Sequence, residues 1–126
     1  MRRNVIEGPG VPRSHLPFSP AVRAGSLVFV SGQASVDETG KIVSDTFEGE
    51  MRRSMENVRK VLAAAGLGFE HVVRVCSYLG RQDDLAEYNR IYREYFSEPF
   101  PARSTLMGCL GTLLKFEIDV VAYAGE

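Results

Sequence analysis

The residues best suited to chemistry in this sequence are an arginine and a glutamate in its C-terminal quarter. Arg103 follows Pro99-Phe100-Pro101-Ala102, and two prolines hold this lead-in extended because each restricts its own backbone and the residue before it. A guanidinium can grip a carboxylate with two parallel hydrogen bonds. Glu117 lies beyond a Gly-Thr turn in an otherwise apolar run. We expect the two on neighbouring strands, as a structural ion pair or as the working groups of a site.

The strands that carry these two side chains are marked by alternating patterns. Alternation predicts one strand over residues 104–110 and another over residues 113–123. One face of the last strand is uniformly apolar and is expected to lie under helices: Phe116, Ile118, Val120 and Ala122. The opposite face is mixed: Lys115, Glu117, Asp119, Val121 and Tyr123. Because that face is too apolar to lie bare in water, we expect it to be buried against another copy of the chain.

Several strands precede this pair. β-Branched and aromatic content predicts a strand over residues 26–31 and a short strand over residues 41–43. The first ends at Ser31-Gly32-Gln33, where Gly32 suits a bulge; an amide free to donate to an anion is the alternative. A long apolar run predicts a strand over residues 71–79, buried on most of both faces. The proline-rich residues 1–20 are expected to form an extended arm.

Two helices are predicted by apolar residues that recur every three or four positions. The first covers residues 47–65 and ends at Gly66. The second begins at Asp83 or Asp84 and runs to about Phe96. Its aromatic stripe is expected to be core, and Asn89 is a small polar residue beside that stripe. The element order therefore predicts an α+β fold, with one mixed β-sheet and two helices packed on one face.

Composition sets the outer limits. A chain of 126 residues suits a single domain over residues 1–126. Lys and Arg number 15 against 16 Asp and Glu, which argues against a protein that coats nucleic acid, because binding phosphates needs concentrated positive charge. Cys76 and Cys109 form no CxxC pattern and are expected to be buried free thiols. With no apolar stretch of signal or transmembrane type, we expect a soluble, cytoplasmic protein.

Five motifs, in order along nearly the whole chain, resemble the RidA/YjgF family of reactive enamine/imine deaminases. They are Pro17-Phe18-Ser19-Pro20-Ala21-Val22, Val28-Phe29-Val30-Ser31-Gly32-Gln33, Met55-Glu56-Asn57-Val58, Phe100-Pro101-Ala102-Arg103-Ser104 and Phe116-Glu117-Ile118. The resemblance implies a chorismate-mutase-like fold assembled as a homotrimer, with the three sheets facing inward as a barrel and ligand clefts between subunits. It also implies hydrolysis of 2-imino and 2-amino-enoate intermediates to 2-keto acids and ammonia, with no cofactor and no metal.

The same resemblance implies roles for individual residues. Arg103 would grip the substrate carboxylate, and Glu117 would orient or activate water. The Gly32 amide would assist the carboxylate, and the Thr105 backbone would help to place the water. The remaining residues expected to contact substrate are Phe18, Ser31 and Asn89.

Three positions depart from the family pattern and bear on substrate preference more than on reaction type. Thr105 stands where the family often has Cys, Phe18 stands where it often has Tyr, and the proline that commonly follows the leucine is missing after Leu110. Two other functions stay open. One is a non-catalytic trimer whose cleft binds a small carboxylate metabolite or a protein partner. The other is an RNA-acting protein, which needs a continuous basic surface that this near-neutral composition does not indicate.

Overall fold

The computed structural model describes residues 3–125 as a mixed six-stranded sheet with two helices. The elements are β1 (Asn4–Ile6), β2 (Ala21–Ala24), β3 (Leu27–Ala34), α1 (Phe47–Ala64), β4 (Val72–Leu79), α2 (Leu85–Tyr95), β5 (Ala102–Met107) and β6 (Phe116–Tyr123). The strand order is β1-β2-β3-β6-β4-β5, and every neighbouring pair is antiparallel except β4 and β5. The α+β prediction is confirmed.

The core lies between the helices and one face of the sheet. On α1 the buried stripe is Phe47, Met51, Met55, Val58, Val61 and Leu62. It packs on alternate residues of the central strands, including Phe116, whose ring meets that of Phe47 edge to face at 6.0 Å. The Thr46 hydroxyl caps the helix by accepting from the Gly49 amide at 3.1 Å. The chain leaves the helix through Gly66, whose φ of +76° is left-handed.

The order of the last strands differs from the expectation that the strands of Arg103 and Glu117 are neighbours. That expectation is wrong, because β4 lies between β5 and β6. The chain leaves β4, returns through α2 and enters β5 in the same direction, so β5 pairs parallel with the outer edge of β4. The last strand then enters antiparallel between β3 and β4.

Smaller expectations also need correction. The arm contributes β1, and β2 precedes the strand that begins at Leu27, so the sheet has two strands that the pattern did not indicate. Residues 41–43 form only an isolated bridge, between Val36 and Ile42. In β4 alternate residues are buried, so one face and not both is covered within the chain. Both cysteines are free, but Cys76 is only half-buried and Cys109 is exposed.

One buried carboxylate decides where β6 begins. Glu50 of α1 is fully buried and accepts hydrogen bonds from the backbone amides of Lys115 (2.9 Å) and Asp45 (3.1 Å). The Lys115 amide is therefore turned toward the helix and away from a neighbouring strand. The observed strand starts at Phe116 and not at the predicted residue 113, because residues 111–113 form a turn and the Lys115 amide bonds to the helix. No helix within residues 3–125 combines the length and apolarity that crossing a membrane requires.

Candidate active site

The guanidinium of Arg103 is held by aromatic rings and has no polar partner. It lies over the rings of Tyr88 and Tyr92, 4.9 Å and 4.8 Å from their centroids. Within residues 3–125 it forms neither a hydrogen bond nor an ion pair. Cation–π contact fixes the plane of the group while leaving its N–H donors unused. The donors are therefore available to an anion from outside the chain.

Local structure explains this placement. Arg103 lies opposite Val75, a fully buried residue, so its side chain leaves the sheet on the helix face. Tyr88 and Tyr92 are four residues apart on α2 and share the face that meets β5. The buried Tyr88 hydroxyl donates to Ser77 Oγ at 2.7 Å, which anchors the first ring. The arginine therefore lies on a rigid aromatic surface that two elements build together.

A cleft of about 330 Å³ opens beside this arginine. Its lining consists of Asn89, Tyr92, Arg93, Phe100, Pro101 and Arg103. Burial raises the pKa of Tyr92 to about 12, and its buried hydroxyl has no hydrogen-bond partner within the described residues. The walls are largely apolar and aromatic, with polar groups at a few points, as is usual in small-molecule sites. We call Asn89, Arg103 and the two tyrosines the arginine half-site.

A second group of residues surrounds Gly32 and Glu117. The register between β3 and β6 shifts between Val30 and Gln33, so the predicted bulge at Gly32 is confirmed. The Glu117 carboxylate lies directly over Gly32, and a Cβ atom there would overlap it. Only glycine lets the carboxylate and the backbone approach so closely.

The Glu117 carboxyl is half-buried and without a hydrogen bond or ion pair inside residues 3–125. Burial raises its pKa above the ordinary value, and the negative charge of Asp119 raises it further. A carboxyl group in this state can hold a proton closer to neutral pH than a solvated glutamate does.

Ser31, which precedes Gly32, is hydrogen-bonded to the N-terminal arm. Its amide donates to the Pro20 carbonyl at 2.9 Å and its hydroxyl donates to the Ser19 carbonyl at 2.6 Å. The hydroxyl hydrogen is therefore used within the chain, and a ligand could meet only the oxygen lone pairs. The two bonds pin the neighbouring Phe18, whose side chain is 52% exposed. We call Phe18, Ser31, Gly32 and Glu117 the glutamate half-site.

The two half-sites lie on opposite faces of the sheet. Arg103 packs against α2, whereas Glu117 alternates with Phe116 and Ile118, which are buried under the helices, and so points the other way. No ion pair joins Arg103 and Glu117 within the described chain. Glu117 also does not line the cleft beside Arg103.

The remaining predicted residue, Thr105, lies opposite Ser77 on β4 and is half-buried. It does not line the cleft beside Arg103. Tyr88 and Tyr92 were expected only as core, and their contact with the arginine was missed. The signal that could have found them is their type: two aromatic residues on one helix face that also carry hydroxyl groups. Among residues 3–125, no three His, Cys, Asp or Glu side chains come together in a group that could hold a metal ion.

Known proteins match this chain over nearly its whole length. A family model described as Endoribonuclease L-PSP matches residues 10–124. A RutC family protein of Pyrococcus horikoshii is 35% identical over 123 residues, covering 96% of this chain and 98% of that protein. The human 2-iminobutanoate/2-iminopropanoate deaminase is 33% identical over 125 residues, covering 98% of this chain and 91% of the human protein.

Solved structures agree with the sequence matches. Escherichia coli TdcF with bound serine superposes on this chain with a TM-score of 0.85 at 31% identity, covering 97% of this chain and 99% of TdcF. A RidA structure from Psychrobacter gives a TM-score of 0.85 at 28% identity, covering 95% of this chain and 98% of that one. The shared region includes both half-sites, since their residues all fall between Phe18 and Glu117.

Proposed function

This chain belongs to the RutC/YjgF/RidA family, and we propose that it hydrolyses reactive 2-imino and 2-amino-enoate acids to 2-keto acids and ammonia. Relatives named as reactive intermediate deaminases support a function of this type. The finer assignment, to small 2-imino acids of the 2-iminobutanoate and 2-iminopropanoate kind, rests on the site residues.

The observation that carries the proposal is the unpartnered guanidinium of Arg103. Arg103 is exposed beside the cleft, so its unused donors can reach a ligand of opposite charge. Stacking on Tyr88 and Tyr92 leaves the N–H edge free for a bidentate bond to a carboxylate. Such a grip would hold a 2-imino acid by its carboxylate and leave the adjacent imine carbon open to water. TdcF, with serine bound, supports a carboxylate ligand in this family.

Hydrolysis then needs one group that moves protons. A 2-amino-enoate first gains a proton on carbon 3 and loses one from nitrogen, which gives the imine. Water then adds its oxygen to the imine carbon and gives a proton to the Glu117 carboxylate, which passes that proton to the nitrogen. In the resulting carbinolamine Glu117 takes the hydroxyl proton and delivers it to the nitrogen as the C–N bond breaks, so ammonia leaves and the 2-keto acid forms. Because burial and Asp119 raise the Glu117 pKa, this carboxyl can both accept and return the proton. The Gly32 amide would assist the substrate carboxylate and the Thr105 backbone would help to place the water. Asn89, Phe18 and Ser31 would contact the substrate.

The proposed site lies between two copies of the chain in a homotrimer. The opposite placement of the half-sites supports this, since Arg103 of one copy would meet Glu117 of the next. The open face of the sheet carries exposed apolar side chains, Phe29, Leu106 and Tyr123, at 41–45% exposure. Covering them with a second copy would remove apolar surface from water.

The test is release of ammonia and keto acid from freshly generated 2-aminoacrylate and from bulkier imino acids. Wild type should accelerate hydrolysis over the uncatalysed reaction. Arg103→Ala should lower kcat/KM by at least about 100-fold, because two charge-assisted hydrogen bonds contribute roughly 1.5 kcal/mol each or more. Arg103→Lys keeps the positive charge but loses the two parallel N–H donors, so its kcat/KM should lie between those of wild type and Arg103→Ala.

The matched control is Arg81→Ala, which removes an exposed arginine outside both half-sites and should leave kcat/KM unchanged. Glu117→Ala should reduce kcat more than KM. A folded trimer of wild type that accelerates none of these substrates would overturn the enzyme proposal and favour a carboxylate-binding module. An RNA-acting role has less support, since the helix arginines Arg52, Arg59 and Arg90 are already paired with glutamates.

A further inference from the structure

A hydrogen-bonded pair lies beside Glu117 on the open face of the sheet. The Tyr78 hydroxyl of β4 donates to Asp119 Oδ2 of β6 at 2.7 Å. Tyr78 is also the residue directly opposite Glu117 in the register between the two strands. Asp119 follows Glu117 by two positions on β6, so their Cα atoms are about 7 Å apart on one face. The three side chains therefore form one contiguous group.

We propose that Tyr78 and Asp119 are positioning residues for Glu117: the tyrosine fixes the aspartate, and the fixed aspartate holds a negative charge on the same face of the sheet as the Glu117 carboxyl. The inference rests on the proposed function for its catalytic meaning, because a carboxyl that titrates nearer neutral pH can both take a proton from water and return it. The two residues act through Glu117 and need not touch the substrate.

The geometry gives each member a distinct task. The Glu117 carboxylate leans toward β3 and covers Gly32, whereas Asp119 is drawn toward β4 by its bond to Tyr78. Asp119 is thereby held at a set distance and cannot swing over Glu117. Hydrogen bonds with Cys76 and with Asp119 raise the pKa of Tyr78 above its ordinary value, so the tyrosine keeps the hydrogen that it donates.

Within residues 3–125, the ionisable groups on the Glu117 face of β6 are Lys115, Asp119 and, six positions away, Tyr123. The Lys115 ammonium is engaged with the Asp45 carbonyl (2.7 Å) and the Glu50 carboxylate (3.3 Å). On β4 they are Tyr78, Cys76 and, opposite Val121, Arg74, which donates to Ser104 Oγ. The closest part of β3 is the bulge at Gly32, which carries no ionisable side chain. In the proposed inter-subunit site Arg103 of a second copy would oppose the effect of Asp119, and a bound carboxylate would neutralise that arginine.

The experiment follows the Glu117 carboxyl directly. Carbon-13 NMR of protein labelled at glutamate side-chain carboxyls, assigned with Glu117→Gln, gives the Glu117 titration midpoint without any turnover. Asp119→Asn keeps the shape and a hydrogen-bond acceptor for Tyr78 but removes the charge. The Glu117 midpoint should fall by about half a pH unit, the size of the Coulomb interaction expected at high effective dielectric for carboxylates on residues whose Cα atoms are about 7 Å apart. Tyr78→Phe should instead raise the midpoint, because an Asp119 released from Tyr78 is free to approach the Glu117 carboxyl.

A control removes one negative charge elsewhere: Asp83→Asn, at an exposed position before α2, should leave the midpoint in place. Sedimentation of every variant checks assembly, and Asp119→Ser replaces Asp119→Asn if the latter does not assemble. An unchanged Glu117 midpoint in the assembled charge-removed variant would overturn the inference.

Activity separates this inference from the proposed function. If wild type hydrolyses imines, the kcat/KM limb that Glu117→Gln abolishes should move to lower pH in Asp119→Asn, with KM little changed. A merely structural role for Asp119 would lower activity at every pH without moving the limb, and would count against the inference. If wild type hydrolyses no imine, the proposed function fails while the NMR titration still decides whether Asp119 acts on Glu117.

Discussion

At the scale of single residues, Arg103 and Glu117 are alike in forming no hydrogen bond and no ion pair within residues 3–125. Each is positioned by a contact that leaves its functional atoms free: aromatic rings under the guanidinium, and a glycine backbone under the carboxylate. Positioning without neutralisation suits a site, because the charged atoms stay available to a ligand.

Gly32→Ala should reduce activity without unfolding the protein. The added Cβ would overlap the Glu117 carboxylate, which must rotate away from its place over the bulge. We expect kcat/KM for imine hydrolysis to fall about tenfold to 100-fold, since small misplacements of a reacting group are costly. The control is Gly80→Ala, where an added Cβ would meet only ordinary contacts, the closest 3.5 Å from the Leu114 carbonyl. Equal activity in the two variants would contradict this account of Gly32.

Glu117→Gln should stabilise the protein at neutral pH. Burial raises the Glu117 pKa in the folded state, so the folded chain binds more protons than the unfolded chain between the ordinary value of 4.5 and the raised value. The free energy of unfolding of wild type therefore falls as pH rises through that interval. A glutamine at this position carries no charge, so the free energy of unfolding of Glu117→Gln should not fall in this way.

Urea unfolding at about pH 4 and about pH 7.5, at one protein concentration, measures the difference. The advantage of Glu117→Gln should appear at the higher pH and shrink at the lower one. The exposed Glu98→Gln should show no such pH dependence. An advantage of the same size at both pH values would mean that the substitution acts through packing and not through ionisation.

At the scale of elements, the bulge in β3 is held by side chains from two directions. Gln33 Nε2 donates to the Ser31 carbonyl at 3.1 Å. Asn57 of α1 donates from Nδ2 to the carbonyls of Ala34 (3.0 Å) and Val36 (3.1 Å), beyond the bulge. The first helix therefore does more than cover the core, because it also fixes the strand segment that presents Gly32.

Asn57→Ala should lower the free energy of unfolding by about 2–3 kcal/mol, because two carbonyls lose their donor in a mostly buried place. Ser54→Ala is the matched control. Ser54 is also buried on α1, but its hydroxyl donates to the Glu50 carbonyl within the helix at 2.7 Å, so we expect a loss below about 1 kcal/mol. Urea denaturation measures both losses. Similar losses in the two variants would show that Asn57 is not a special tie to β3.

At the scale of the whole molecule, the face of the sheet opposite the helices is the surface that we propose is covered by assembly. Apolar and ionisable side chains both lie on it, among them Phe29, Glu117 and Tyr123. A trimer in which Arg103 of one copy faces Glu117 of the next would cover the apolar side chains and complete the sites together.

Mixing two inactive variants tests that arrangement. Arg103→Ala and Glu117→Ala trimers should each be inactive, and co-refolding them at equal amounts should restore about a quarter of wild-type activity. The reason is statistical: a site is intact only when one copy supplies the arginine and its neighbour supplies the glutamate, each with a chance of about one half. Co-refolding Arg103→Ala with Arg103→Ala,Glu117→Ala is the control and should restore nothing. No recovery from the first mixture would place both groups in the same subunit's site.

Local patterns determined much of this protein. The 3.6-residue period of α1, the alternation in β6 and the bulge at Gly32 are consequences of neighbouring residues, and each was predicted correctly from them. The motifs around Phe18, Gly32, Arg103 and Glu117 also indicated the family to which the chain belongs. These signals are local because backbone conformation and the burial of one face depend on residues a few positions apart.

Only the tertiary structure decided how these pieces meet. We expected Arg103 and Glu117 on neighbouring strands because their strands are consecutive along the chain. In the structure, however, β6 lies between β3 and β4. Strand order depends on which edges remain free after the β4–α2–β5 crossover closes, and no local pattern records that. Arg103 contacts Tyr88 and Tyr92, and Tyr78 contacts Asp119, although these partners are 11 to 41 positions apart in the sequence. No helical or strand periodicity links residues that far apart. Such partners are chosen by packing of the whole fold.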